Sequence, residues 1–444
     1  MRKKLFLVFI FIGFYSFSQT RTLSLSECYS VAKNNNLIIK NGIKDSLISA
    51  VNVRKAKDRF LPAATFSGAN SYDLGTAINP SSNIRENRNR NSITGNFNFN
   101  WTVFNGFKRK LDVDVQKLNQ DVVQEANKRT LRDIYLQILE VYTDLLIADE
   151  QIKVQENNAK INNTIIDIVK YRIEKGDEIK INLKNLEARK LKTDIDIRKY
   201  RNEKELLYYN LKSLLNIGDN FEIQNIDIDV DAEVMKEVET NLDNILSFPE
   251  IRIINLALEK EQRNQKMLQN SYMPKISLGY NFNSFYSHIL GETDVLTSGG
   301  RVIDDNYTFF EQLKNNKNHY LALNVSVPIF SQFQNKRDRE ISKIEVEKLN
   351  NDLLRKKDEI TNTVNRFKRD LETSYQELDY EKNYMNVLVE LLDINKEKYK
   401  LGIIPLYELE RFSNEYENEK VNFLQTKIKT FYLYNYLKVY FVPN

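Results

Sequence analysis

The 444-residue sequence predicts a mainly α protein with a β portion set between its helices, built as two copies of one plan. The first observation is a seam. Ile134, Ile138, Val141, Leu145, Ala148 and Ile152 follow one another in alternating steps of four and three, the spacing of a coiled-coil face. The second is that this seam returns 226 residues later as Ile360, Val364, Phe367, Leu371, Ser374 and Leu378. The same offset carries Phe104 onto Phe330, Gly176 onto Gly402 and Leu211 onto Leu437, a register kept over more than a hundred residues. The third is a set of four stretches with period-two alternation, two in each copy. With only 13 Gly and 7 Pro to punctuate the chain, its elements must be few and long.

In order, Arg2-Lys3-Lys4 and the apolar run Leu5–Tyr15 predict a secretory signal peptide over 1–18, with Ser16-Phe17-Ser18 as the small-x-small cleavage site. The run is too short for the ~20 residues of a spanning helix. Repeat 1 occupies 19–216. Ser24 and Glu27 make a capping box ahead of helical spacing that reaches about Phe60, where Pro62 stops it. Strands follow at about 64–73 and 94–104, separated by the Asn- and Arg-rich loop Asn79–Asn91. Phe97, Phe99, Trp101 and Val103 alternate with Asn96, Asn98, Asn100 and Thr102 on the second strand. Asn105-Gly106 ends it, and a helical hairpin covers about 107–215. Its first arm has no proline before Gly176, which allows a helix of roughly 105 Å at ~1.5 Å per residue.

The acidic segment 217–248, with Asp227, Asp229 and Asp231 between apolar residues, is a connector. Repeat 2 covers 249–444. Its first helix ends at Met273-Pro274, strands lie at about 275–285 and 319–330, and a hairpin at about 333–440 turns at Gly402. The loop Ser287–Asn318, which holds His288 and runs up to His319, is 14 residues longer than its counterpart.

Charged residues make up 28% of the chain but acids and bases are interleaved, and removing the leader leaves them nearly balanced, which gives no case for nucleic acid. A single cysteine, Cys28, excludes an intrachain disulfide framework and a thiolate metal cluster. Apart from the pair Gly299-Gly300 the glycines occur singly, and no phosphate-cradling loop is expected. His288 and His319 have no evident ligand partners, and the acid pair Asp304-Asp305 falls in a loop. No enzyme activity and no cofactor are expected.

The strands fit two settings. Their apolar faces could pack on helices in a soluble protein, or face lipid in an outer-membrane barrel whose polar side lines water. Their length matches the ~9–11 residues of a tilted spanning strand, and Trp101, Phe97, Phe99, Tyr280 and Phe282 suit an interfacial aromatic girdle. Four strands alone leave two unpaired edges, so a barrel needs several chains. The alternative is a periplasmic coiled-coil scaffold or binding protein.

The pieces Leu23–Asn36 (LSLSECYSVAKNNN), Phe60-Leu61-Pro62, Val103–Arg109 (VFNGFKR), Val327–Phe330 (VPIF) and Tyr399–Glu410 (YKLGIIPLYELE), in this order and at these separations, resemble the TolC-like outer-membrane efflux proteins. The resemblance spans essentially the whole mature chain. It implies a homotrimer with a twelve-stranded barrel in outer-membrane lipid and a twelve-helix tunnel in the periplasm. It also implies docking, at hairpin tips marked by Gly176, Asp177, Gly402 and Ile403, on a periplasmic adaptor (membrane fusion) protein. Through that adaptor the channel would meet an inner-membrane pump of the RND or ABC type. Function by resemblance is passive conduction of exported substrates.

It further implies acidic residues just after the tip glycine, a place taken here by Glu408, with Asn182 at the matching position of the first half. Arg411 stands where a second acid is common. Tyr399 resembles the tip-locking tyrosine of the family, and Ile404 stands where a locking arginine can occur, so that latch is expected to be absent.

Overall fold

The computed structural model describes residues 21–78, 83–224, 245–298 and 301–441. The expected signal peptide and the middle of the expected connector lie outside the described residues. In chain order the elements are β1 (Arg21–Leu23), α1 (Leu25–Asn35), α2 (Leu37–Asp58), β2 (Ala63–Asp73), β3 (Thr76–Ile78), β4 (Arg85–Asn87), β5 (Arg90–Asn105), α3 (Lys108–Lys175) and α4 (Lys180–Leu215). They continue with β6 (Phe221–Ile223), α5 (Pro249–Gln269), β7 (Lys275–Ile289), β8 (Leu296–Ser298), β9 (Arg301–Asp304), α6 (Phe309–Asn315), β10 (Asn318–Ser326), α7 (Gln334–Lys400) and α8 (Leu406–Phe441). Residue contacts divide the chain into two compact units, each drawn from both sequence halves.

One unit comprises Met1–Ile43, Asn127–Pro249 and Lys357–Asn444. The seam residues Ile134, Ile138, Leu145 and Ala148 of α3 and Ile360, Val364 and Leu371 of α7 are buried, as a continuous apolar face demands. At full burial each such aliphatic side chain contributes about 1.5–3 kcal/mol. Phe367 stacks on Tyr436 of α8 at 4.0 Å between ring centroids. At Ser374 the seam turns polar, and its hydroxyl is 2.5 Å from that of Thr430. A second part of this core joins Leu25, Cys28 and Ala32 of α1 to Ile138, Tyr142 and Leu145 of α3 and Leu211 and Leu215 of α4. β1 pairs in parallel with β6 there, and the Tyr142 hydroxyl donates to the Gln224 carbonyl at 2.9 Å.

Ser24 and Glu27 form the capping box that their spacing predicts. The helix that follows is not continuous. Asn36 interrupts it with ψ of 129°, its side-chain oxygen accepting from Ile38 N at 2.8 Å and its amide donating to the Leu214 carbonyl at 2.8 Å. A side chain that can serve two backbone groups at once makes this break inexpensive.

The other unit comprises Lys44–Ala126 and Glu250–Lys356. Its centre is a four-stranded antiparallel sheet in the order β10-β7-β5-β2. The register places Phe66 opposite Phe97, Phe97 opposite Phe282, Phe99 opposite Tyr280 and Trp101 opposite Leu278, with Leu321, Leu323 and Val325 of β10 continuing that row. Asn98, opposite Asn281, lies on the other face. One side of the sheet is therefore aromatic and aliphatic and the other amide-rich. The apolar side stays open: Phe66 is 76% exposed and Leu321 70%. Among the described residues β2 and β10 each have one strand partner, so both outer edges are unpaired there.

Several bounds differ from the sequence expectation. β5 begins at Arg90 and β7 runs on to Ile289, whereas β10 ends at Ser326 rather than near Phe330. His319 is a strand residue, set between Tyr280, whose hydroxyl it meets at 2.9 Å, and the Phe282 ring. The two expected loops are partly ordered. The first carries the β3–β4 hairpin and the second carries the β8–β9 hairpin and α6. Gln312 of α6 is buried, accepts from Ser287 N at 3.0 Å and donates to Asp294 at 3.1 Å. Polar composition suggested a loop, but a buried amide with both ends satisfied holds α6 against β7.

The duplication is visible in local geometry. Phe104 and Phe107 meet edge to face at 5.2 Å, and Phe330 and Phe333 do so at 5.4 Å. Just before α3, Gly106 and Phe107 have φ of 67° and 62°; just before α7, Gln332 and Phe333 have 52° and 61°. Glycine is needed at the first of these sites, because a Cβ on Gly106 would lie 2.7 Å from the Asn270 carbonyl oxygen.

Candidate functional site

The residues singled out from the sequence gather at the two hairpin turns of the unit that holds the seam. Both turns are built alike. Gly176 adopts φ of 81°, its N–H donating to Ile173 O at 3.0 Å while Asp177 N donates to Arg172 O at 2.9 Å. Gly402 adopts φ of 75°, with Gly402 N donating to Tyr399 O and Ile403 N to Lys398 O, both at 2.9 Å. This is the Schellman closure, which satisfies the last carbonyls of α3 and α7 and turns each chain back.

Between the turns lies a four-residue cluster. Tyr399, near the end of α7, is fully buried among Ile165, Ile166, Val169, Leu392, Leu406 and Leu409. Its hydroxyl donates to Glu178 Oε2 at 2.9 Å. Asn182 of α4 donates to the other carboxylate oxygen of Glu178 at 2.8 Å, and Ile179 N donates to that same oxygen at 3.1 Å. Arg172 of α3 lies over the Tyr399 ring at 4.8 Å, donates to the Tyr399 carbonyl at 2.8 Å and reaches the Asp177 carbonyl at 3.3 Å. The two turns of one chain are thus joined through side chains from three helices and a loop.

The electrostatics favour the joined state. Partial burial pushes the Glu178 carboxyl up, but the bonds from Ile179, Asn182 and Tyr399 and the charge of Arg172 outweigh it, so it ionises below the usual carboxylate range. Burial, then the hydrogen bond to the Glu178 carboxylate, raises the Tyr399 phenol well above its ordinary value. At neutral pH the donor is therefore neutral and the acceptor charged, the combination that gives a charge-assisted bond.

Of the expected site residues, Tyr399 and Asn182 meet through Glu178, and Gly176, Asp177, Gly402 and Ile403 form the turns around them. Glu408 stands apart, half-buried in the first turn of α8 with its N–H donating to Pro405 O at 3.1 Å. The cation under Tyr399 is supplied by Arg172 from the opposite hairpin, where the sequence showed only Ile404 near the turn. Nothing in local spacing points to Arg172, which is 227 residues away from its partner. Glu178 was missed as well, although its place just after Asp177 was the available signal.

Further from the turns, Arg189 of α4 contacts Glu417 of α8 at 3.4 Å and also reaches the Asn414 side chain. Burial raises the Glu417 pKa despite that cation. Among the described residues no group of acids, histidines or cysteine is placed to hold a metal ion, and no helix is long and apolar enough to cross a membrane.

No protein-family profile matches the sequence, and no curated protein sequence does. The likeness to known proteins is one of fold. The chain is similar to CusC, in a structure describing folding and transmembrane channel formation, at 14% identity with a TM-score of 0.73 over 93% of this chain and 91% of that one. It is similar to the outer-membrane protein VceC of Vibrio cholerae, at 10% identity and a TM-score of 0.70 over 93% and 94%. It is also similar to the Campylobacter jejuni outer-membrane channel CmeC, at 16% identity and a TM-score of 0.71 over 94% and 84%. The fold is that of the TolC-like outer-membrane channels.

Proposed function

We propose that the protein is the outer-membrane channel of a tripartite efflux or secretion system, a passive duct whose energy and selectivity come from its partners. The observation that carries this reading is the sheet. It has one open apolar face, one amide-rich face and two unpaired edges. In hydrocarbon an unpaired edge is intolerable, and β2 of one copy against β10 of the next removes both edges at once. Three copies then supply twelve strands, in keeping with the homotrimer that the family resemblance implies.

In this reading the apolar face meets outer-membrane lipid and the amide face lines water. Segments 79–91 and 287–318 lie outside the cell, and the hairpin turns lie at the periplasmic end. The repeats 19–216 and 249–444 each contribute one hairpin, with 217–248 between them. The turns at Gly176, Asp177, Gly402 and Ile403 dock a periplasmic adaptor, which links the channel to an inner-membrane pump of the RND or ABC type. Arg172, Tyr399, Glu178 and Asn182 hold the turns together in a closed state, and the duct opens when they part. Glu408 lines the narrow end and favours cations.

Cell fractionation tests the reading. The expected result is recovery with the outer membrane as a heat-modifiable trimer in mild detergent. A monomer in the soluble periplasmic fraction would overturn it in favour of a coiled-coil scaffold.

A further inference from the structure

We propose that the amide-rich side of the sheet binds a neutral oligosaccharide, with the Tyr320 ring as its stacking platform and the amides of Asn281 and Asn98 as hydrogen-bond partners. The proposal rests on the reading of the sheet as a channel wall and adds a ligand class to it. Across β10, β7, β5 and β2 the register sets Asn318, Asn283, Asn96 and Ser67 on one rung. The next rung is Tyr320, Asn281, Asn98 and Thr65, and the one after it is Ala322, Gly279, Asn100 and Ala63. Along these four strands no Asp, Glu, Lys or Arg lies between the Asp73–Arg90 rung and Lys275.

The amides act together. Asn283 Nδ2 donates to Asn281 Oδ1 at 3.1 Å, and Asn281 Nδ2 donates to Asn98 Oδ1. Three carboxamides thus run head to tail over two rungs, ending in an acceptor oxygen on Asn283 and a donor group on Asn98. Beside them Tyr320 is 62% exposed, an aromatic ring on the polar side of the sheet. On the adjoining rung Ala322, Gly279 and Ala63 are small, and a Cβ on Gly279 would meet only Asn100 Oδ1, at 3.6 Å. The ring therefore borders a shallow recess floored by backbone.

An open ring beside oriented donors and acceptors, with no fixed charge, selects the occupant. A charged solute would give up water with no counter-charge to offset the loss. A purely apolar one would meet a single ring among amides and hydroxyls. A sugar chain carries hydroxyls that both donate and accept, and C–H faces that lie flat on an aromatic ring. Pairing of β10 with β2 of a neighbouring copy engages backbone edges and leaves this side open. The row that β2 turns to the same side is Thr65, Ser67, Ala69 and Ser71, which is also small and uncharged.

The test is current block in single-channel recording of the purified protein in planar bilayers. Maltohexaose should interrupt the current at concentrations where polyethylene glycol of equal hydrodynamic size, or the acidic oligomer hexagalacturonate, does not. Tyr320→Ala should weaken that block roughly fivefold, and the double variant N98A/N281A about tenfold. Tyr320→Phe keeps the ring and should retain most of the block, which separates lost stacking from a disturbed strand. Block by maltohexaose no stronger than by the polymer or the acidic oligomer, or an unchanged block in both alanine variants, would overturn the site. Failure of the unaltered protein to form channels removes the channel reading itself, whereas a conducting channel indifferent to the sugar removes only this site.

Discussion

Replacing Tyr399 by Phe deletes one hydroxyl and leaves the buried ring, its apolar neighbours and the Arg172 contact in place. The lost bond joins a neutral phenol to a charged carboxylate at 2.9 Å. Such bonds contribute about 1.5–3 kcal/mol, and the half-exposed setting of Glu178 puts this one at the lower end. About 1.4 kcal/mol per chain is tenfold in the ratio of parted to joined turns. Arg172→Ala should cost more, since it removes the cation over the ring and two backbone bonds together.

The assay is single-channel recording of the reconstituted protein, with the open fraction as readout. Y399F should raise it about tenfold at neutral pH and R172A further. The sign of the pH effect follows from the shifts. Glu178 ionises below its ordinary value, so its contribution is complete above the usual carboxylate range and is lost as pH falls through the lower folded value. Tyr399 ionises above its ordinary value, so the neutral donor survives through neutral pH and is lost only in strong alkali. Acid should therefore open the unaltered channel and have little further effect on Y399F. An unchanged open fraction in both variants would refute the role of the cluster in holding the turns closed.

Three other outcomes are expected. Gly106→Ala should destabilise the protein by about 1–3 kcal/mol in chemical unfolding, through its positive φ and the 2.7 Å approach to Asn270, whereas Gln332→Gly at the matched position should cost nothing. Glu417→Gln should leave stability within about 1 kcal/mol, because burial already disfavours the charge, while Arg189→Ala should lower it by about 1–3 kcal/mol by stranding that carboxylate. Glu408→Gln should lower cation preference in bilayer conductance, and unchanged ion selectivity would remove Glu408 from the pore.

Much of the architecture was legible in the chain because it is written in short periods. The seam from Ile134 and its copy from Ile360, the alternation around Phe97 and Tyr280, the Ser24–Glu27 cap and the two turn glycines each depend on residues within one helical turn or strand pair. Local sterics and amphipathicity settle such features before any distant residue is placed. The break at Asn36 was not legible, because an asparagine ends a helix there only when the Leu214 carbonyl arrives to accept its amide. Nor was the ordering of the long loop, which depends on Gln312 finding Ser287 and Asp294.

The sequence by itself determined the repeated plan, the long helices, the two-faced strands and the positions of the turns. Only the tertiary structure decided which side chains close those turns. It brought Arg172 under Tyr399 and Glu178 onto its hydroxyl, from 227 and 221 residues away, and left Glu408 apart. The physical reason is that a helix fixes its own period but not the rotation at which it meets another. Which polar groups face each other across that meeting is settled by packing of the buried layers around Ile165, Val169, Leu392 and Leu409.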